Sequence, residues 1–120
     1  MKKIKIPPIY EEDIIEFVFS GFIIRIKYRF ENAIINLVFY DVYQFDFCEF
    51  DYINDADWEF GLTQYSQSPL LKDIYSRVPL ENHNRAFGGE PNKLRHYKLA
   101  VDDVGIYNII CKDFQMEEST

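Results

Sequence analysis

The sequence predicts an α+β fold in which a predominantly antiparallel, curved sheet or partial barrel carries one main helix near residues 69–77. Residues 22–30 alternate between apolar and mostly basic side chains, the two-residue repeat of a strand with one buried face. Residues 70–78 repeat their apolar positions at helical spacing, and residues 95–111 read as a hairpin. With 120 residues, of which 48% are hydrophobic, the chain can bury one core, so we expect a single domain over residues 1–120.

The first forty residues are predicted to form three strands. The apolar run Ile14–Phe19 ends at Ser20-Gly21, a turn signal. The alternating segment 22–30 then leads through Glu31-Asn32, where we expect Asn to supply a positive φ. Ala33–Tyr40 is apolar at nearly every position, which indicates a central strand covered on both faces.

Residues 41–52 show a change of phase. Their apolar side chains occupy odd positions first and even positions afterwards: Tyr43, Phe45 and Phe47, then Cys48, Phe50 and Tyr52. A slip of this kind inside a strand predicts a β-bulge or a bend. A polar loop at Asn54–Trp58 and a further strand at Glu59–Tyr65 are expected next.

The helix has recognisable start and stop signals. Ser68 can cap its N-terminus, Pro69 suits the first helical position, and Pro79 ends it. The apolar residues between them recur on one face: Leu70, Leu71, Ile74, Tyr75 and Val78. One side of this helix should therefore pack on the sheet.

The last forty residues predict a loop and a hairpin. Residues 81–93 contain Asn, Gly-Gly and Pro and indicate an irregular loop. Arg95–Val101 and Ile106–Cys111 read as paired strands joined by a turn at Asp102–Gly105. We expect the tail Met116–Thr120 to be frayed. Because most connections are short, strands close in sequence should be neighbours in the sheet.

Searches for catalytic, metal or nucleotide motifs fail. Gly88-Gly89 has no GK[ST] sequence and no strand–helix context, so it predicts a flexible loop. Asp55–Gly61 has oxygen-bearing residues at alternate positions, but an EF-hand requires Gly and Glu where this chain has Phe60 and Ser66. We therefore expect no cofactor, no metal and no enzymatic activity.

The histidines and cysteines also give no indication of a metal site or a catalytic site. His83 and His96 are far apart, and neither has a partner at metal-ligand spacing. His96 is expected in the core or at a sheet edge, and a catalytic role would require a carboxylate brought near by the tertiary structure. Cys48 and Cys111 both lie in apolar runs, so two buried thiols without a disulfide are predicted.

The N-terminal segment does not resemble a secretion signal. Three lysines precede Pro7 and Pro8, and Glu11, Glu12 and Asp13 follow, so an apolar core for a signal peptide is missing. No apolar run approaches the length of a membrane span. The expected location is the cytoplasm, with no membrane partner.

Charge is distributed unevenly along the chain. Residues 30–71 contain eight acids and no Lys or Arg: Glu31, Asp41, Asp46, Glu49, Asp51, Asp55, Asp57 and Glu59. The remaining residues are nearly neutral, with 12 acids and 13 bases, so the middle third carries the formal charge of −7. These acids can form a solvated face. They are also interleaved with Tyr43, Tyr52 and Trp58, which suit interface anchors. Such a surface attracts a basic protein and repels nucleic acid.

In size, charge and its Asp-, Tyr- and Trp-rich middle, this chain resembles the immunity proteins of bacterial polymorphic and contact-dependent toxin systems. His96-Tyr97-Lys98-Leu99 with Asp102-Asp103-Val104-Gly105 also resembles a hairpin of small bacterial proteins. The resemblance implies an inhibitor that neutralises a basic toxin, such as a nuclease, by stoichiometric binding. The alternative is a small-molecule or peptide-binding module with a pocket between sheet and helix, rimmed by residues 81–93.

The predicted partner-binding residues are the acids and aromatics of the middle segment: Asp46, Glu49, Asp51, Tyr52, Asp55, Asp57, Trp58 and Glu59. If residues 46–52 form a strand, these side chains cannot all share one face, because successive residues point to opposite sides. Asp55 and Asp57, in the expected loop, are the stronger candidates.

Overall fold

The strands of this protein form two antiparallel sheets in a computed structural model that describes residues 1–49, 61–82, 85, 93–101 and 104–119. The described elements, in chain order, are β1 (Lys2–Ile4), β2 (Ile14–Ser20), β3 (Ile23–Phe30), β4 (Ala33–Tyr40), β5 (Gln44–Glu49), β6 (Gly61–Tyr65), α1 (Pro69–Ser76), β7 (Arg95–Val101), β8 (Gly105–Cys111) and β9 (Asp113–Ser119). Short 3-10 turns occur at Glu11–Asp13 and Leu80–Asn82. The predicted mostly-β, α+β class is confirmed, including the helix near residues 69–77. The sheets do not close into a barrel.

The sheet order mixes local and distant pairings. One sheet has the order β1-β6-β7-β8-β5 and the other has the order β2-β3-β4-β9. The hairpins β2–β3, β3–β4 and β7–β8 join neighbours in sequence, as expected. The consecutive strands β6 and β7 also pair, across α1. The pairs β1–β6, β5–β8 and β4–β9 join segments far apart in sequence, so the rule of sequence neighbours fails for these three.

A bent two-stranded ribbon connects the two sheets. The pair β4–β9 in one sheet continues as the pair β5–β8 in the other. The turn from β4 to β5 lies beside the turn from β8 to β9, so both strands bend at the same place. The backbone N–H of Lys112 donates to the carbonyl of Tyr40 at 3.1 Å, and the N–H of Tyr43 donates to the carbonyl of Ile110 at 2.8 Å. Asp41 stands in this corner with φ of 55°, a value that Asp tolerates better than most residues.

The main core lies between the sheets. Ile24, Ile26 and Tyr28, the alternating set of β3, are fully buried, as their two-residue period predicts. Leu37 lies beside Ile26 on β4 of the same sheet, and Leu99 of β7 contributes to the same core from the other sheet. Each such apolar side chain contributes roughly 1.5–3 kcal/mol by burial. Phe22, which the period assigns to the same face, lies instead in the turn before β3 and is 73% exposed.

The helix packs on the outer face of the five-stranded sheet. Ser68 caps it as predicted, since its Oγ accepts a hydrogen bond from the N–H of Leu71 at 3.2 Å. Leu71 and Ile74 are buried against Leu94 and Ile110 in a second, smaller cluster. The apolar stripe of the helix therefore has the partner that its spacing requires.

Two strands were not expected from the sequence. Residues 116–119, predicted to be frayed, belong to β9, which pairs with β4 from Tyr40↔Asp113 to Ile34↔Ser119. The prediction was wrong because β4 has a second edge, and the tail satisfies the backbone groups of that edge. The charged segment Lys2–Ile4 forms β1 for the same reason, along the edge of β6.

Two local expectations are also corrected. The register of β5 against β8 is uniform from Gln44↔Ile110 to Glu49↔Gly105, so the phase change at Phe47 and Cys48 is not a bulge. The later members of the shifted set, Phe50 and Tyr52, lie outside the described residues. A register shift occurs instead in β2, between Ile14 and Glu16. In the turn after β3, Glu31 rather than Asn32 has the positive φ, at 55°.

Some predictions lie outside the described residues. These are the loop 54–58, the first two residues of the strand predicted at 59–65, and most of the loop 81–93 with His83.

Candidate functional site

The structure describes two of the eight predicted partner-binding residues. Asp46 and Glu49 lie on β5, an edge strand, and both are exposed. They point to opposite faces because they are three positions apart on a strand, as the sequence argument anticipated. The other six lie outside the described residues: Asp51, Tyr52, Asp55, Asp57, Trp58 and Glu59.

The two residues that flank segment 50–60, Glu49 and Gly61, lie at the same end of the five-stranded sheet. Glu49 pairs with Gly105 at the start of β8, and Gly61 pairs with Ala100 near the end of β7. We call this end of the sheet, marked by Glu49, Gly61, Val101 and Gly105, the acidic end. Connections 50–60 and 102–103 both begin and finish there, and between them they contain six acids and no Lys or Arg.

A cluster of aromatic rings fills the space where the two sheets approach each other at β2 and β5. We call its members the aromatic edge: Phe17, Phe19, Phe45, Phe47 and Tyr107. Ring centroids lie 5.0 Å apart for Phe17 and Tyr107, and 4.7 Å apart for Phe47 and Tyr107. Phe19 is 49% exposed and Phe47 is 43% exposed, so the cluster reaches the surface.

The aromatic edge adjoins the acidic end. Phe47 and Glu49 share one face of β5, two residues apart. Burial raises the pKa of Tyr107, and the carboxylate of Glu11 raises it further. Apolar rings and carboxylates therefore share one continuous part of the surface.

A chain of four polar side chains crosses the opposite face of the same sheet, beneath the start of α1. His96 Nδ1 lies 2.8 Å from Ser68 Oγ, and His96 Nε2 lies 2.7 Å from Asn108 Oδ1. The amide Nδ2 of Asn108 donates to Asp46 Oδ1 at 3.0 Å. We call Ser68, His96, Asn108 and Asp46 the polar chain.

The hydrogens of the polar chain have one consistent arrangement. An ionised Asp46 only accepts, so Asn108 must present its NH₂ group to it and its carbonyl oxygen to His96. His96 Nε2 must then donate, which leaves Nδ1 as an acceptor for the hydroxyl hydrogen of Ser68. Ser68 Oγ accepts from Leu71 N–H at the same time. These assignments follow from donor and acceptor matching.

Burial favours the neutral form of His96. The residue is 2% exposed, and desolvation lowers its pKa. The hydrogen bond with Asn108 and the charge of Asp46 raise the pKa, whereas the charge of Lys98 lowers it, but these are smaller influences than burial. A neutral imidazole with a lone pair on Nδ1 is the form that can accept a proton from Ser68.

A groove of about 480 Å³ opens beside the polar chain. Its lining includes Tyr65, Ser68, Leu70, His96 and Lys98. The Nζ of Lys98 lies 5.4 Å from the centroid of the Tyr65 ring, and the rings of Tyr65 and His96 are 5.5 Å apart. The groove thus combines a cation, a hydroxyl and apolar walls.

Only part of this site could be predicted from the sequence. Ser68 was identified as a helix cap, and His96 was placed in the core or at an edge. Their meeting with Asn108 and Asp46 depends on the pairing of β5 with β8, which joins residues 62 positions apart. No local pattern in the sequence predicts that pairing.

Other potential sites can be stated briefly. Among the described side chains, no group of three or more His, Cys, Asp or Glu is arranged to hold a metal ion. None of the described helices has the length and apolar character needed to cross a membrane.

Cys48 and Cys111 are not joined in a disulfide, as predicted. Cys111 is buried, which raises its pKa to about 12, whereas Cys48 is only partly buried.

Comparisons of this chain with models of protein families, with curated proteins and with solved structures find no match.

Proposed function

We propose that this protein binds a basic protein through the acidic end and the aromatic edge, and that it neutralises this partner stoichiometrically, in the manner of an immunity protein or antitoxin. A nuclease toxin fits this role because an enzyme that holds nucleic acid presents a cationic surface to phosphates. Carboxylates of an inhibitor can occupy that surface in their place. The proposal involves no chemical turnover of the partner.

The observation that carries the proposal is the convergence of two acidic connections on one end of the sheet. Glu49 and the connections 50–60 and 102–103 contain seven acids and no Lys or Arg. Lys3 and Lys5, two exposed bases of the N-terminal segment, line a groove with Gly61 at this end and offset only two of these charges. A basic partner would relieve the remaining repulsion and would be drawn to the surface by long-range attraction.

The aromatic edge supports the same proposal. Protein interfaces commonly have an apolar, aromatic centre and a polar rim. Phe19 and Phe47 offer exposed ring surface, and the rings behind them fix their positions. An Arg or Lys of the partner can also gain energy by contacting a ring face.

The groove beside the polar chain favours a second candidate function, the binding of a small molecule or peptide. Its volume of about 480 Å³ lies within the range of ligand pockets, roughly 300–1,000 Å³. Its lining includes the polar groups of Ser68, His96, Lys98 and Asn108, and such pockets use a few polar groups to orient a ligand. The acidic end has no role in this alternative, which therefore leaves the charge distribution unexplained.

The proposed function can be tested with the protein encoded immediately upstream in the same genome, the position expected for a toxin. The association rate would be measured at several salt concentrations for the natural chain and for the double variant Asp55→Ala, Asp57→Ala. We expect an association rate that falls with salt, and a reduction on the order of 10-fold at low salt in the variant.

A matched control removes the same charge elsewhere. Glu117 and Glu118 are exposed on β9, paired with the far end of β4, and Glu117→Ala with Glu118→Ala should leave the rate within about 2-fold of the natural chain. Equal effects of the two double variants would indicate a response to net charge alone. A rate that is independent of salt would contradict the proposed surface.

A further inference from the structure

We propose that Ser68 is a base-activated nucleophile, with His96 as its general base, and that the adjoining groove accepts an acyl ester. This inference is independent of the proposed binding of a basic protein, because it concerns the opposite face of the five-stranded sheet.

The geometry of the polar chain provides the activation. His96 Nδ1 is 2.8 Å from Ser68 Oγ, within the distance needed for direct proton transfer. Asn108 and Asp46 hold the other side of the ring, so Nε2 carries the hydrogen and Nδ1 remains a base. Serine-dependent acyl transfer uses the same three parts, a nucleophile, a base and an orienting group. Here Nδ1 rather than Nε2 faces the serine, and the orienting group is the amide of Asn108, backed by the carboxylate of Asp46.

Ser68 retains the capacity to attack. Its oxygen accepts one hydrogen bond, from Leu71 N–H, and donates its own hydrogen to His96. One lone pair of Oγ is left for a bond to carbon, and Ser68 lines the groove from which a substrate would approach.

The groove also contains groups that suit the developing negative charge. The first turn of α1 begins beside Ser68 and supplies the positive end of the helix dipole. Pro69 has no N–H, and the N–H groups of Leu71 and Lys72 already donate to Ser68, so this contribution comes from the dipole rather than from a pair of free donors. The ammonium group of Lys98 lines the same groove. Tyr65 and Leu70 supply apolar surface for the acyl chain.

The reaction balances without another reagent. Ser68 Oγ forms a bond to the carbonyl carbon while its proton moves to His96 Nδ1. The bond between that carbon and the alcohol oxygen then breaks, and the leaving alkoxide takes the proton from His96. In the second half, a water molecule gives a proton to His96 Nδ1 and attacks the acyl group, and Ser68 regains its proton as the acid is released.

The test uses a fluorophosphonate probe and mass spectrometry of the intact and digested protein. In this reaction Ser68 Oγ bonds to phosphorus, fluoride leaves, and the serine proton passes through His96 to water. We expect one probe on Ser68. Ser76 is a matched control, because it lies exposed on the same helix and its hydroxyl donates to the carbonyl of Asp73 rather than to an imidazole.

Three variants separate nucleophilic reactivity from folding. Ser68→Ala should abolish labelling, and Ser76→Ala should leave it unchanged. Ser68→Asn keeps a side chain that can cap α1, so it should fold as the natural chain does and still show no labelling. Absence of the probe from Ser68 of the natural, folded chain, or equal labelling of Ser68 and Ser76, would overturn the proposal.

A pH profile identifies the base. The charged or titratable groups that face His96 are Asp46 from β5, Lys98 from β7 and Tyr65 from β6. Labelling of the natural chain should rise as His96 becomes neutral and reach a plateau by pH 7. In His96→Gln the rate should fall by about 100-fold or more and lose this dependence on pH. An unchanged rate and profile in that variant would show that His96 is not the base.

Discussion

Asp46 and Glu49 lie three residues apart on β5, and the structure uses the two carboxylates differently. Asp46 accepts a hydrogen bond from Asn108 at one end of a chain that runs through the buried His96 to the cap of α1. Glu49 lies at the acidic end, and the two connections that begin and finish there contain six further acids and no Lys or Arg. The comparison shows that an acid inside a satisfied network supports the fold, whereas a group of exposed like charges is suited to association.

The largest expected difference is in stability. His96→Ala should lower the free energy of unfolding by about 3 kcal/mol, since it leaves a cavity and removes the partners of Ser68 and Asn108. Glu49→Ala should change stability by less than about 0.5 kcal/mol. Urea unfolding of both variants measures the contrast. Similar losses would mean that the polar chain adds no more to the fold than an exposed acid does.

The dependence of stability on pH should come from the polar chain. Burial lowers the pKa of His96 in the folded state, so the unfolded chain binds the proton more readily. Its stabilising contribution is therefore present above the ordinary value of 6.5 and is lost as pH falls below it, by at most about 1.4 kcal/mol per pH unit. Urea unfolding between pH 7 and 5 should show a shallower decline for His96→Gln. An identical decline in both proteins would exclude His96 as its source.

A smaller effect is expected at the helix cap. Ser68→Ala should cost about 1 kcal/mol, because the N–H of Leu71 loses its acceptor and His96 loses its donor. Ser76→Ala should have little effect, since its hydroxyl bonds only to the preceding turn of the helix. Thermal unfolding of both variants provides the comparison. A cost at Ser76 equal to that at Ser68 would remove the distinction between the two serines.

Sequence patterns with local causes were read correctly. The cap at Ser68 and the proline at position 69 start α1, and the alternation within β3 buries Ile24, Ile26 and Tyr28. The hairpin of β7 and β8 was also predicted. In each case the signal and its structural consequence lie within a single helix, strand or hairpin, so no knowledge of the rest of the fold is needed.

Predictions failed where a segment depends on a distant partner. Residues 113–119 carry only a weak strand pattern, because just two apolar residues, Phe114 and Met116, alternate with the polar ones and the acids Glu117 and Glu118 follow. They become β9 because β4 offers a free edge. The aromatic edge likewise depends on β2 and β5 approaching each other from different sheets.

The sequence by itself determined the β-rich class, the position of the helix, the closing hairpin and the concentration of acids in the middle third. These properties depend on composition and on short-range periodicity. Only the tertiary structure decided that Asp46 contacts Asn108 and that His96 contacts Ser68. The apolar pattern of a strand predicts which face is buried, but it does not predict which other strand will pair with it. The separation of the acidic end from the polar chain around the buried His96 follows from that pairing.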